Sequence, residues 1–118
     1  MWLGPGRLVH NITSDSRLTR LSLLATPTDF FQTPGALDAV RVPILAWVGS
    51  ADNITPPAQT ERLAYAMRDW QTVDVRVTDS AGHFSFMDVL PPQTTEPLPN
   101  KQAFLREFSS EICKFVVG

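Results

Sequence analysis

At 118 residues the chain is the size of one ordinary domain, and a length of this order lets about two thirds of the unfolded surface be buried. Its 43% hydrophobic and 19% charged residues fit a folded globular chain and argue against disorder. A net charge of −2 with no run of like charges excludes a dedicated nucleic-acid surface, which needs a clustered basic face.

Residues 1–19 mix Gly, Pro, Asn, Ser and Asp without a period and read as an irregular N-terminal segment. They have no apolar stretch of signal-peptide length, and no run anywhere approaches the roughly 20 residues that span a bilayer. A cytoplasmic protein without membrane contact is the expectation. The single cysteine, Cys113, cannot form an intrachain disulfide and suits a reducing compartment.

Residues 20–26 (RLSLLAT) form a short apolar run closed by Pro27, long enough for one buried strand. Residues 27–40 carry two prolines and a glycine and read as a loop, with a helical turn in GALDAV. VPILAWVG, 42–49, is the clearest strand. It is continuously apolar and β-branched at Val42, Ile44 and Val48, which marks a parallel strand covered on both faces. Thr55 is placed to cap a helix over 56–70, with Pro56 at its first position and Leu63, Ala66, Met67 and Trp70 on one face. VDVRV, 73–77, alternates as a half-exposed strand at a sheet edge. A long Pro-rich loop, 79–100, leads to an amphipathic helix over 101–117. Its apolar stripe holds Phe104, Leu105, Phe108, Ile112, Phe115 and Val116, with Cys113 beside it as a packed thiol.

The fold class that follows is α/β, with about three parallel strands, flanking helices and a right-handed βαβ unit over 42–77. Parallel strands open their C-terminal loops along one rim, where open α/β sheets bind ligands. Asp52 comes three residues after Gly49 and His83 six after Val77, so both enter that rim from adjacent strands about 5 Å apart. An aspartate bonded to a histidine there would orient the imidazole, fix its tautomer and stabilise the imidazolium during proton transfer. Taken singly, Asp52 also fits a turn residue and His83 a structural loop histidine. Phe84 and Phe86 are placed to wall the site, and packing competes as their role, as it does for Trp47. His10 has no assigned role. The two histidines are too far apart in sequence for metal-ligand spacing, and no metal or cofactor is called for.

VRVPILAWVGSADNITPP, VDVRVTDSAGHFSFMD and the closing amphipathic helix together resemble the C-terminal part of an α/β-hydrolase, residues 20–118, most of all the dienelactone-hydrolase-like branch. The resemblance implies a partial α/β-hydrolase fold in which Asp52 is the triad acid and His83 the triad base. It implies hydrolysis of an ester, lactone or related small-molecule acyl substrate by a Ser or Cys nucleophile. The chain departs from the family at that nucleophile. Glycines stand at 4, 6, 35, 49, 82 and 118, and no pair brackets a Ser or Cys as G-x-S-x-G or G-x-C-x-G. Ser14, Ser16, Ser22 and Ser50 lack the elbow's setting. A truncated hydrolase, inactive or nearly so by itself, is therefore expected. The alternative is a non-catalytic α/β module that binds a partner chain or small ligand at the same rim. The strand near 21–26, apolar and without charges, is expected to offer an edge for self-association or a partner chain.

Overall fold

The computed structural model describes residues 17–31, 35, 37, 38 and 40–118. Most of the expected irregular segment 1–19, including His10, and part of the turn expected in GALDAV lie outside the described residues. The elements follow in the order β1 (Leu21–Leu24), a 3-10 helix (Thr28–Phe31), β2 (Ile44–Gly49), α1 (Pro57–Ala66), β3 (Val73–Thr78) and α2 (Lys101–Val117).

The three strands form one parallel sheet ordered β1-β2-β3, with Leu21 opposite Ile44 and Ile44 opposite Val73. Every residue of β2 is buried, as its unbroken apolar run requires. Leu45 and Trp47 face α2, where Phe104 and Phe108 close a cluster around the indole. The Trp47 ring meets Phe108 edge-on at 5.1 Å and Phe104 at 6.1 Å between centroids. Its N–H is satisfied by Thr78 Oγ1 at 2.7 Å. The opposite face of the sheet packs Ile44 against Leu63 and Met67 of α1 and its C-terminal turn. Arg62 of α1 pairs with both oxygens of Asp29, at 3.0 and 2.6 Å, and ties the 3-10 helix to α1.

Five local expectations need correction. β1 is half-buried rather than buried, because it lies at the end of the sheet order and Leu24 is exposed. The helix after β2 starts at Pro57 with Pro56 as its cap residue, and Thr55 caps nothing, because its hydroxyl is held by groups at the rim. That helix ends at Ala66, and residues 67–70 continue as turns in which Gln71 N–H reaches Met67 O at 2.9 Å. Cys113 is exposed. At about 100° per residue, nine residues from Phe104 make 900°, which puts the thiol on the opposite side of α2 from the buried ring. Val116 is likewise turned out of the stripe, at 59% exposure.

Candidate functional site

β2 and β3 end side by side, and their outgoing loops are stitched together by backbone and hydroxyl groups. Ser50 N–H bonds Thr78 O and Ala51 N–H bonds Ala81 O, each at 2.9 Å. Ser50 Oγ accepts the Ser80 N–H at 2.8 Å and donates to Asp79 Oδ1 at 3.2 Å. The fit depends on Gly49. A Cβ at that position would lie 2.0 Å from the Ala81 carbonyl oxygen and 2.4 Å from its carbon, so only glycine permits the approach. Gly82 is similarly confined, since a Cβ there would meet Pro97 Cγ at 2.9 Å.

Within this frame Asp52 and His83 meet. Asp52 Oδ2 is 2.9 Å from His83 Nδ1. Oδ1 accepts the backbone N–H groups of Ile54 at 2.9 Å and Thr55 at 2.7 Å. Asp52 thus fills the turn role open to it in sequence and the histidine-orienting geometry at once. The Thr55 hydroxyl lies 2.8 Å from Asp52 Oδ2, 3.1 Å from Ala25 O and 3.1 Å from His83 Nδ1. It therefore ties the pair to the end of β1. Sequence reasoning missed Thr55 here, and its spacing three residues after Asp52 was the available signal.

Burial pushes the Asp52 carboxyl up. The Thr55 N–H, the His83 bond, the Thr55 hydroxyl and the Ile54 N–H together outweigh that and hold it below its ordinary value. An ionised carboxylate only accepts, so the Nδ1 facing it carries a ring proton and donates it, and Nε2 is the ring nitrogen not engaged by Asp52. The His83 side chain is 23% exposed while that of Asp52 is fully covered, so solvent reaches the histidine and not its partner.

His83 borders a cavity of about 260 Å³ whose walls include Ala51, Asn53, Ile54, Phe84 and Glu96. Phe84 stands edge-on to the imidazole at 4.9 Å. Phe86, named with it as a possible wall, packs instead against Phe104 and Phe108 at 5.6 and 5.2 Å, and anchors the histidine loop to α2. Ser85, two residues after His83, is buried, and its hydroxyl is committed to Glu96. Among the described residues neither Ser50 nor Ser85 hydrogen-bonds His83. Among them, too, no three His, Cys, Asp or Glu side chains gather as a metal site, and no helix is long and apolar enough to cross a membrane.

Solved structures are similar to this chain in overall fold. A puromycin-hydrolysing peptidase of Mycobacterium tuberculosis superposes with a TM-score of 0.54 at 14% identity, over 91% of this chain and 20% of its own. An esterase of the Planctomycetes species Thermogutta terrifontis aligns at 14% identity and a TM-score of 0.48, over 95% of this chain and 45% of its own. A carboxylesterase of Lactobacillus plantarum aligns at 14% identity and 0.46, over 80% and 42%. The chain spans less than half the length of each. No family model and no curated protein matches it. The sheet and helices are those of a partial α/β-hydrolase fold.

Proposed function

We propose that residues 20–118 are the acid–base part of an α/β-hydrolase-like acyl hydrolase, with His83 as general base and Asp52 as the group that orients it. The observation that carries this reading is the 2.9 Å contact between Asp52 Oδ2 and His83 Nδ1 at the ends of adjacent parallel strands. In such a reaction Nε2 would take the proton of an attacking hydroxyl or thiol and return it to the leaving group. The buried carboxylate would stabilise the imidazolium between the two transfers. The stretches around Asp52 and His83 support the dienelactone-hydrolase-like branch and an ester, lactone or related substrate. The 118 residues hold no elbow motif, so on this reading the nucleophile and oxyanion donors come from outside them.

Hydrolysis of p-nitrophenyl acetate tests the proposal. Loss of a nucleophile costs about a million-fold in turnover, and loss of one oxyanion donor about a hundred- to a thousandfold. The chain alone should therefore show no saturable turnover. Adding a chain that carries the complementary strands and elbow should restore it, and His83→Ala or Asp52→Ala should abolish it again. Restored turnover that survives His83→Ala would overturn the assignment. Saturable turnover by the chain alone, lost in both variants, would place a nucleophile within these residues.

A second reading, a non-catalytic module binding a small ligand beside His83, is favoured by the cavity already formed without an elbow. Ligand-induced shifts at Gly82, His83 and Phe84, with no turnover in the complemented mixture, would support it over the first.

A further inference from the structure

We propose that Glu96 is a positioning residue for His83, acting through Ser85. The inference rests on the reading of His83 as the proton-transferring group. It concerns what holds the backbone turn that carries the imidazole.

His83 sits inside a tight turn that Ser85 closes twice. The Ser85 N–H bonds Gly82 O at 3.2 Å, and Ser85 Oγ accepts the Gly82 N–H at 2.8 Å. A hydroxyl that accepts in this way still has its own proton to place, and Ser85 is 1% exposed, so water does not receive it. The proton goes to Glu96 Oε1. Glu96 is therefore what sets the Ser85 rotor with its lone pair toward Gly82 and its proton away. Without that acceptor, a buried hydroxyl proton is left unsatisfied, and rotating to relieve it withdraws the lone pair from Gly82.

Glu96 is itself fixed to the body of the fold. Its Oε1 also accepts the Leu98 N–H at 3.1 Å, and Lys101, the first residue of α2, approaches Oε2 at 3.2 Å. α2 is in turn seated on Trp47 through Phe104 and Phe108. A continuous path of polar contacts thus runs from the histidine turn to the helix, between Ser85 and Glu96, which stand eleven positions apart in Pro-rich chain. Glu96 and Ser85 border the same cavity as His83, so the path lies along the wall of the site. Asp52 orients the imidazole through Nδ1, while Ser85 and Glu96 hold the backbone that carries it.

The test follows the His83 Nδ1 proton by NMR in the whole chain with labelled histidine, the signal being assigned by its loss in His83→Ala. Glu96→Ala should speed exchange of this proton with water by about ten- to a hundredfold, the factor of one lost hydrogen bond to a charged group. Glu96→Gln, which keeps an acceptor oxygen, should restore most of the protection. Ser85→Ala should behave like Glu96→Ala, and it serves where Glu96→Ala fails to fold. If Glu96 were merely structural, Glu96→Ala would lower thermal stability and leave the His83 exchange rate as in the wild type. That outcome, in either folded variant, overturns the proposal. Asp52→Asn separates the two ideas. If it removes the protection while Glu96→Ala does not, the positioning role falls and the Asp52–His83 assignment stands. If it changes nothing, both fall.

Discussion

Replacing Gly49 with alanine puts a methyl carbon 2.0 Å from a backbone carbonyl oxygen, that of Ala81. Real Cβ contacts of this kind do not fall below 3.0 Å, so the ends of β2 and the histidine loop must part by about 1 Å. Neither side yields easily, because Gly49 is in the buried central strand and Ala81 is itself fully buried. Moving by that amount breaks the Ala51 N–H to Ala81 O bond, worth about 1 kcal/mol. The strain of a methyl forced into a close-packed interior adds about 1–3 kcal/mol. The expected loss is thus about 2–4 kcal/mol. For a domain of this size, at about 4 °C per kcal/mol, Tm should fall by roughly 8–16 °C. The site should suffer more than the fold. Asp52 lies three residues beyond Gly49 and His83 two beyond Ala81, so a shift of about 1 Å stretches their 2.9 Å contact out of hydrogen-bond range. Misplacement on that scale costs about a hundredfold in turnover where a catalytic group is involved. The assays are thermal unfolding by circular dichroism and protection of the His83 Nδ1 proton. A Gly49→Ala protein melting within about 2 °C of the wild type, with that proton still protected, would refute the reasoning.

Acid should destabilise the fold through two carboxylates held below their ordinary values: Asp52, against its burial, by the hydrogen bonds of Thr55, His83 and Ile54, and Glu96, also against burial, by Ser85, Leu98 and Lys101. Each binds a proton more readily in the unfolded chain, so each contributes fully above its unfolded pKa, about 3.9 for Asp and 4.3 for Glu. That contribution fades as pH falls through the lower folded value, and urea unfolding of Asp52→Asn should show a flatter acid limb than the wild type. An unchanged limb would contradict the account. β1 pairs with β2 alone among the described strands, so we expect concentration-dependent self-association through Leu21–Leu24. Size-exclusion chromatography should show it diminished by Leu23→Lys, and a single monomer peak across a wide concentration range would count against it.

The pattern of apolar runs is enough to bring Asp52 and His83 to one rim of the sheet. A seven-residue apolar stretch followed by Gly49 and an alternating one ending near Thr78 identify neighbouring parallel strands, and the polar residues after them must share a rim because parallel strands share a direction. That Asp52 and His83 can meet there follows from strand direction, and their 2.9 Å contact agrees with it, while the roles proposed for them come from the family resemblance. The stripe of α2 is legible too, but its buried arc is narrower than the sequence pattern suggests and leaves Cys113 and Val116 exposed. What the sequence could not show depends on contacts between distant segments. Thr55 reads as a helix cap until Ala25, thirty residues earlier, and Asp52 compete for its hydroxyl. Ser85 and Glu96 look like ordinary loop residues until the chain between them folds back and buries the hydroxyl beside a single acceptor. Gly49 reads as a strand terminator, and only the packed rim shows that no side chain fits against Ala81. Periodicity and strand direction are local properties that survive in one dimension. Which buried proton finds which acceptor, and where a single methyl is excluded, is decided only when the chain closes on itself.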